Sequence, residues 1–289
     1  MIRLVTFAAP ANGAPRLGAF EDGTIVPLDP GFDMRAALAL PEAGLRALVA
    51  MAPRPGLPAG AVRILPPIPD PGVIFCVGKN SRVHRAELVA QDMLREDPQE
   101  PTGFVKLART MSAEGMAVAR PPGVTTFDYE PELAFILARH AHGLTRANAR
   151  DVVGGITVLN DLTARATQKR EVASGSRFWT AKNMPGFCPV GPYVVPLFEV
   201  ADPYDLWLTC RVNGDLRLRV STSEYIYRIE DILAHFTTHM EFFPGDVIAT
   251  GAPRGTAISQ PNADELYLKP GDVCVAGLEG LMELTTPIV

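Results

Sequence analysis

Three carboxylates stand at alternate positions in the segment FDYEPELAFIL. Asp128, Glu130 and Glu132 are separated by single residues, and on a β-strand this spacing places all three on one face. Like charges this close repel one another unless protons or a cation intervene, and a hard divalent cation removes the repulsion. A solvated strand face is the commoner use of such a pattern. However, the segment leads into a buried run, and Pro131 is typical of an irregular or edge strand, so we predict a metal site.

A further carboxylate ends an apolar run later in the chain. Asp161 closes VVGGITVLND, which we predict to be a buried strand, and the helix-like TARATQKR follows. An acidic residue at the end of a buried strand is well placed to point into a cleft and supply another metal ligand. It is also a common N-cap for the helix that follows. The residues alone leave both interpretations open, and the N-cap is the commoner one.

A histidine and a glutamate are spaced for contact in GKNSRVHRAEL. His84 and Glu87 lie three residues apart on a predicted helix over 81–94, so they share one face. A carboxylate beside an imidazole fixes its tautomer and raises its basicity, which suits a general base. Spacing alone favours an ordinary surface pair. The helix runs into the proline-broken REDPQEP, so we expect residues 81–97 to be mobile without a ligand.

Lysine is rare in this chain and recurs close to these motifs. Only five of the 27 basic residues are lysine, and three of them, Lys79, Lys106 and Lys182, lie in the motif-rich stretches. A lysine supplies a compact, flexible point charge that arginine does not reproduce. Chance explains the distribution equally well. Lys182 follows FWTA, which we predict to be a strand.

The bulk composition limits the class of protein. With 289 residues, 47% of them hydrophobic, the chain suits one large domain or a small domain plus a large one. A net charge of −5 without a run of basic residues argues against nucleic acid as a partner. We find no 18-residue apolar stretch and predict no membrane span. Four cysteines without a CxxC pattern are typical of reduced thiols, so we predict a cytoplasmic protein.

The texture of the chain changes near residue 67. Residues 1–67 predict a small N-terminal α/β domain: a hairpin that turns at Asp22, a helical stretch over 34–51 interrupted by Pro41 and Gly44, and a proline-rich linker. Residues 68–289 alternate strand-like runs with few helices, of which RIEDILAHFTTHM is the clearest. This pattern predicts an α+β, β-rich fold, a mixed β-sandwich or roll.

The order of these motifs resembles that of the fumarylacetoacetate hydrolase (FAH) family over roughly residues 65–289. The matching segments are ILPPIPDPGVIFCVGKNSRVHRAE, GFVKLA, DYEPEL, VLNDLTARATQ, FWTAKNMPGFCPVGP, VNGD, FPGDVIATGAP and LKPGD. So many short motifs in the family order are more specific than any one of them. The resemblance implies a catalytic domain over 68–289 with the family's β-sandwich roll, and a homodimer.

The resemblance also implies roles for individual residues. The metal ligands fall on Glu130, Glu132 and Asp161. They would hold Mg²⁺ or Mn²⁺, with Ca²⁺ as a further option. The catalytic residues fall on His84 and Glu87, within a lid over the substrate, and on Lys106 and Lys182. The substrate-binding residues fall on Arg165, Gln168 and Thr250.

The sequence departs from the family pattern at several positions. Ser81 stands where a tyrosine is usual, Ala166 stands where an aspartate is usual, and Ala252 replaces a threonine in the TGTP motif. These positions are near the implied site, so we expect a substrate pocket that differs from those of well-known members. None of the implied metal ligands is lost, and the His84/Glu87 pair is intact.

The resemblance and the carboxylate pattern together predict a metal-dependent hydrolase. It would cleave a C–C bond in a 1,3-diketo acid such as an acylpyruvate or fumarylpyruvate, with His84 activating a water and a metal-bound enolate leaving. The alternative is a 2-oxo acid decarboxylase acting on oxaloacetate, or an isomerase, hydratase or dehydratase that uses the same centre. A metal-stabilised scaffold without activity is a third interpretation, which the His84/Glu87 pair argues against.

Overall fold

Residues 1–10, 13–82, 99–176 and 178–289 are described by a computed structural model. Apart from its first two residues, the predicted helix over 81–94 falls outside the described residues. Within the described ranges, no helix combines the length and the apolar character needed to cross a lipid bilayer.

The N-terminal elements form a small antiparallel sheet with two helices. Its strands are β1 (Leu4–Ala8), β2 (Arg16–Glu21), β3 (Thr24–Pro27), β4 (Leu57–Pro58) and β5 (Arg63–Ile64). Its helices are α1 (Met34–Leu38) and α2 (Glu42–Ala50). The hairpin turn at Asp22 and the helix break at Pro41 are therefore confirmed. The predicted break at Gly44 is wrong, because α2 continues through this residue. Asp22 has a positive φ of 45°, which a tight hairpin turn requires.

The remaining elements are mostly strands. They are β6 (Ile74–Gly78), β7 (Thr102–Lys106), β8 (Met111–Ser112), β9 (Phe127–Asp128), β10 (Pro131–Leu137), β11 (Val153–Asn160), β12 (Thr163–Ala164), β13 (Cys188–Pro196), β14 (Trp207–Val212), β15 (Asp215–Ser221), β16 (Val247–Ala249), β17 (Val273–Leu278) and β18 (Met282–Pro287). The helices among them are α3 (Arg165–Ala173), α4 (Ile229–Phe236) and α5 (Ala263–Leu266).

Two sheets pack against each other. The larger has the strand order β4-β3-β2-β1-β13-β11-β10-β16-β6-β7, and the smaller has the order β15-β14-β17-β18. Strand β10 is antiparallel to both of its neighbours, whereas β16 lies parallel to β6. Leu208 and Leu278 of the smaller sheet share a buried cluster with Phe135 and Ile156 of the larger one. The predicted β-rich α+β sandwich is confirmed.

Strand β10 is the central support of the fold. Leu133 and Phe135 face the cluster shared with the smaller sheet. Ala134 and Ile136 point the other way, into a second cluster that includes residues of α1 and α2. Because apolar side chains are buried on both faces, the segment reads as a continuous apolar run rather than an alternating one. Glu132, at the start of this strand, is therefore attached to a segment that is packed on both faces.

The carboxylate segment is not the continuous strand that its alternation predicts. Strand β9 ends at Asp128 and pairs with β12, whereas β10 begins at Pro131 and pairs with β11. The chain turns between them because it changes partner strands. Asp128 consequently lies outside the group of three carboxylates that Glu130 and Glu132 form with Asp161. The prediction that all three carboxylates share one face is wrong.

The N-terminal strands extend the large sheet. Strand β1 lies beside β13, with Leu4 opposite Val194. The Thr6 hydroxyl donates a hydrogen bond of 2.6 Å to the carbonyl of Pro67. Phe7 belongs to the same buried cluster as Phe135. A domain boundary at residue 67 stays a prediction.

Candidate metal centre and active site

Three buried carboxylates converge where two neighbouring strands meet the cleft. Glu130 immediately precedes β10, Glu132 is its second residue, and Asp161 directly follows β11. One oxygen of each lies within 4.8 Å of the others. The residues are 4%, 1% and 0% exposed, respectively. The pairing of Pro131 with Asn160 brings the start of one strand to the end of the other, which places the three together.

Backbone hydrogen bonds fix the positions of these carboxylates. The amide of Asp161 donates to the carbonyl of Glu130, and the amide of Glu130 donates to the Asn160 side chain, both at 2.8 Å. The amide of Gly251 donates to Glu132 Oε2 at 2.8 Å. Gly251 has a φ of +100°, and a Cβ there would lie 2.7 Å from the carbonyl of Val77, so glycine is required.

The helix after Asp161 begins too late for Asp161 to cap it. Helix α3 starts at Arg165, and its N-cap is Ala164. Asp161 instead contacts two lysines with its two oxygens: Oδ1 lies 2.6 Å from Lys106 Nζ, and Oδ2 accepts from Lys182 Nζ. The N-cap interpretation is therefore excluded.

The two lysines implied by the resemblance are both buried beside the carboxylates. Lys182 Nζ donates to Glu130 Oε2 at 2.5 Å and to the Thr163 hydroxyl at 2.9 Å, in addition to Asp161. Lys106 Nζ also donates to the carbonyl of Lys182. The residues before Lys182 form turns, so the predicted FWTA strand is wrong. A turn has few of the backbone hydrogen bonds that fix a strand in a sheet. The contacts of Lys182 with Lys106 and Thr163 therefore help to fix this segment at the site.

Arg165 connects the carboxylate cluster to Asp128. Its Nε lies 2.7 Å from Asp128 Oδ2, and its Nη2 lies 2.6 Å from Glu130 Oε1. Its Nη1 donates to Gln168 Oε1 at 3.0 Å, so both implied substrate-binding residues of α3 reach the site. Asp128 is fully buried and also accepts from the amides of Ala257 and Ile258.

The electrostatics of the cluster follow from burial. Loss of solvent raises the pKa of Glu132 well above its usual range, and the charges of Asp161 and Glu130 raise it further. Burial alone would lower the pKa of Lys182. The attraction of Asp161 and Glu130 outweighs this effect and raises the pKa above its usual value. Lys182 therefore stays an ammonium at neutral pH.

The donor set fits a hard divalent cation. Oxygen atoms converge from Glu130, Glu132 and Asp161, and among the described residues neither a histidine nor a thiol belongs to this cluster. Carboxylate oxygens are the ligands that Mg²⁺, Mn²⁺ and Ca²⁺ prefer. Lys106, Arg165 and Lys182 form ion pairs with Asp128, Glu130 and Asp161. A cation at the cluster would relieve the repulsion that raises the pKa of Glu132.

The carboxylate cluster opens into a cavity, and only some of the residues that line it are predicted site residues. The lining residues are Val77, Gly78, Lys79, Phe104, Glu130, Glu132, Asp161, Arg165, Gln168, Phe178, Lys182 and Ala252. Thr250, the third implied substrate-binding residue, is not among the residues that line the cavity. Its hydroxyl donates to the carbonyl of Leu133 at 2.8 Å. Ala252, one of the departures from the family pattern, lines the cavity with a methyl group.

The sequence pattern does not indicate the roles of three residues in and around the cavity. Asp128 anchors Arg165, whereas its alternation with Glu130 suggested a place beside the metal. Phe104 and Phe178 line the cavity, and nothing in their types distinguishes them from core aromatics. A signal did exist for Phe104, which precedes Lys106 by two positions and so shares its face of β7.

The His84/Glu87 pair lies outside the described residues, as does most of the predicted mobile segment over 81–97. The described residues lead up to it: the Asn80 side chain donates to the carbonyls of Thr250 and Tyr227, and Ser81 bridges to Tyr225. These contacts tie the start of that segment to the strand end that carries Gly251.

Two relatives match the full length of this chain, and a family model matches most of it. The model for the fumarylacetoacetate (FAA) hydrolase C-terminal domain matches residues 73–289. A human protein named oxaloacetate tautomerase FAHD2A, mitochondrial, is 33% identical over 300 residues, which span 100% of this chain and 92% of that protein. A Xenopus laevis protein named oxaloacetate tautomerase fahd2, mitochondrial, is 30% identical over 297 residues, 100% of this chain and 90% of that one.

Solved structures agree with these matches. A fumarylacetoacetate hydrolase from Exiguobacterium antarcticum has a TM-score of 0.80 at 29% identity, covering 100% of this chain and 99% of that one. A 2-hydroxyhepta-2,4-diene-1,7-dioate isomerase from Mycobacterium marinum has a TM-score of 0.76 at 27% identity, covering 100% and 98%. The fold, the buried carboxylates and the full-length similarity lead to one conclusion: the chain belongs to the fumarylacetoacetate hydrolase family and is an enzyme of that superfamily.

Proposed function

We propose that this enzyme interconverts the keto and enol forms of a 2-oxo acid, with oxaloacetate as the first candidate substrate. The observation that carries the proposal is the buried ammonium of Lys182, which touches Glu130, Asp161 and Thr163 at the edge of the cavity. The names of the human and Xenopus laevis relatives support oxaloacetate.

Keto–enol interconversion needs a negative oxygen to be stabilised and a proton to be moved. A divalent cation held by Glu130, Glu132 and Asp161, proposed here as Mg²⁺ or Mn²⁺, would supply Lewis-acid polarisation of the substrate's carboxylate and carbonyl. Lys182 remains protonated because its pKa is raised, so its positive charge stabilises the oxygen on which negative charge develops. It is an electrostatic stabiliser and not the base.

Arg165 is a second buried cation that can stabilise negative charge on the substrate. It contacts one oxygen of Glu130, and Lys182 contacts the other. The pKa of Arg165 is also raised: burial opposes the charge, but Asp128 and Glu130 outweigh that effect. Arg165 therefore holds its protons and can orient a substrate carboxylate through its planar guanidinium. Gln168, which contacts Arg165, adds an amide group that can both donate and accept hydrogen bonds.

The proton at C3 needs a carrier that gains and loses it near neutral pH. We assign this task to His84, held by Glu87, on the basis of their spacing in the sequence. In the keto-to-enol direction the C3–H bond breaks and its proton passes to the imidazole. A proton is then added to the oxygen on C2. The numbers of atoms and electrons are unchanged, so no water and no oxidant is consumed.

A C–C hydrolase acting on an acylpyruvate is the second candidate. The His84/Glu87 pair favours it, because hydrolysis requires a base that activates water. A decarboxylase acting on oxaloacetate follows from the same polarised 2-oxo acid. Homodimerisation and a cytoplasmic location stay predictions; the human relative is named as a mitochondrial protein.

One set of assays distinguishes these reactions. The purified protein with Mg²⁺ is mixed with the enol form of oxaloacetate, and its ultraviolet absorbance is followed while pyruvate is measured separately. Acetylpyruvate cleavage is followed in parallel. We expect fast loss of the enol absorbance with little pyruvate and little cleavage. Dominant acetylpyruvate cleavage would instead support the hydrolase, and dominant pyruvate formation would support the decarboxylase.

The variant His84→Ala tests the assignment of the proton carrier. We expect it to keep the Mn²⁺ affinity of the wild type, because the carboxylate cluster lies on other segments. Tautomerisation should fall by on the order of 10²–10⁴-fold, the usual contribution of a general acid–base group. Unchanged tautomerisation would exclude His84 from this role.

A further inference from the structure

Two phenylalanines form one wall of the cavity. Phe104 lies on β7, and Phe178 lies in the turn that leads to Lys182. Their ring centroids are 5.4 Å apart and their planes are inclined by 80°, an edge-to-face contact. Both rings line the cavity beside the carboxylates and are only half-buried. They are therefore exposed to whatever the cavity binds.

The ring pair and the carboxylates lie on either side of one ammonium. Lys182 Nζ is 5.2 Å from the Phe104 centroid and 6.0 Å from the Phe178 centroid. The same atom is 2.5 Å from Glu130 Oε2. A ligand that binds in the cavity beside Lys182 consequently comes close to the rings. The rings are apolar and rigid, so they limit the size of that ligand more than its charge.

The backbone at Phe178 supports a role for its ring. Its φ is +51°, in the left-handed region that favours glycine and asparagine. A bulky residue held there costs on the order of 1 kcal/mol or more, and such residues are concentrated at functional sites. Packing against the core does not explain its retention, because Phe178 is only half-buried. Its ring contacts Phe104 and faces Lys182.

The apolar part of the cavity boundary lies next to the ammonium. Phe104 and Phe178 form this part, and Ala252 adds a methyl group elsewhere on the lining. A substituent that extends from the carboxylates past the ammonium therefore meets a ring.

We propose that Phe104 and Phe178 determine substrate size, and that they restrict this enzyme to 2-oxo acids with a short substituent on C3. The inference rests on the proposed function for its substrate class. A four-carbon acid such as oxaloacetate meets the restriction, whereas an acylpyruvate with an extended acyl chain does not. Phe104 and Phe178 are specificity residues and take no part in proton transfer.

The test measures binding as well as turnover. Isothermal titration of the Mn²⁺-loaded protein with straight-chain 2-oxo acids of three to six carbons gives the dependence of affinity on chain length. One methylene that does not fit costs about tenfold or more. We expect the wild type to lose at least about tenfold in affinity across the series. In Phe178→Gly, most of this loss should disappear.

Glycine is chosen at position 178 because it accepts the left-handed backbone. The thermal midpoint of Phe178→Gly should match or exceed that of the wild type. A change in its specificity would then not result from a folding defect. Phe104→Leu is a second variant, on a regular strand, and should also allow longer 2-oxo acids to bind. Trp179→Ala is the matched control: Trp179 is the next residue, is 54% exposed and is not among the cavity-lining residues. It should preserve the wild-type dependence.

The outcomes separate the two proposals. An unchanged chain-length dependence in both Phe178→Gly and Phe104→Leu would overturn the size restriction. An equal change in Trp179→Ala would also overturn it. If the wild type binds short acids best but tautomerises none of them, the proposed function fails and the size restriction stands.

Discussion

At the scale of single residues, Lys182 occupies the point where buried carboxylates would otherwise face one another. Its ammonium touches Glu130 and Asp161, and the residue is 2% exposed. A charge held this way is preorganised, because it needs no reorientation when negative charge develops on a substrate. The same charge stabilises the cluster when no cation is bound. Lys182 therefore has both a catalytic and a structural role.

These roles predict two effects of Lys182→Met. Turnover should fall by on the order of 10²-fold, the usual cost of one preorganised donor. Without metal, the thermal midpoint should also fall, because the carboxylates lose a buried counter-charge. Added Mg²⁺ should recover most of the stability and none of the turnover. Thermal denaturation with and without Mg²⁺, beside steady-state rates, measures both. Lys269→Met, on the exposed surface, is the control; wild-type turnover in Lys182→Met would refute the role.

The metal requirement is a second prediction at this scale. Chelation should abolish activity, and Mg²⁺ or Mn²⁺ should restore it, whereas Zn²⁺ should serve poorly because the described part of the chain adds no nitrogen or sulfur ligand to the cluster. Glu132→Gln should weaken Mn²⁺ binding by more than about 100-fold, beyond the range typical of outer-shell partners. Titration calorimetry measures this, with the exposed Glu283→Gln as the control. Full activity of a preparation shown by elemental analysis to be metal-free would contradict the prediction.

At the scale of elements, the break between β9 and β10 organises the site. The break separates Asp128 from Glu130, so that Arg165 at the start of α3 can bridge the two. Helix α3 is thereby fixed to the strand that carries the metal ligands. Gln168, one turn further along α3, is oriented by the same guanidinium.

Asp128→Asn should therefore loosen the attachment of α3. Asp128 is fully buried and accepts from Arg165 and from two amides of the segment before α5. Removing one partner of a buried ion pair costs about 3–5 kcal/mol, because the other charge is left uncompensated. Urea unfolding should show this loss with an unchanged m-value. Asp264→Asn, on the surface, should change stability by less than about 0.5 kcal/mol. A loss no larger than that control would show that the bridge is dispensable.

At the scale of the whole molecule, the N-terminal strands and the catalytic region share one core. Strand β1 pairs with β13, and Val5, Phe7 and Ile25 are buried in the cluster that contains Phe135. Removing the N-terminal strands would expose this apolar surface and leave β13 with an open edge. An open edge next to apolar surface promotes association between chains.

We accordingly expect the full chain to unfold in a single transition. A fragment of residues 68–289 should be less stable and prone to aggregate, although it contains every implied site residue. Calorimetry of the full chain and gel filtration of the fragment measure the two properties. A stable monomeric fragment, or two separate transitions in the full chain, would favour an independent domain with its boundary at residue 67.

Local patterns were sufficient for many of the elements and for part of the site. The hairpin at Asp22 and the break at Pro41 follow from backbone preferences that act over a few residues. Glu130 and Glu132 stand out because period-two spacing on a strand places neighbours on one face. The order of short motifs indicated the family, since motif order does not depend on the path of the chain.

Contacts between distant segments were decided only by the tertiary structure. Asp128 left the shared face because β9 and β10 pair with different strands, which its own neighbours do not reveal. Asp161 could be a helix cap or a ligand until the late start of α3 was known. Phe104 meets Phe178 across 74 positions of the chain because β7 and the Lys182 turn border the same cavity. Such contacts depend on how strands pair and cross, and local sequence carries little information about that.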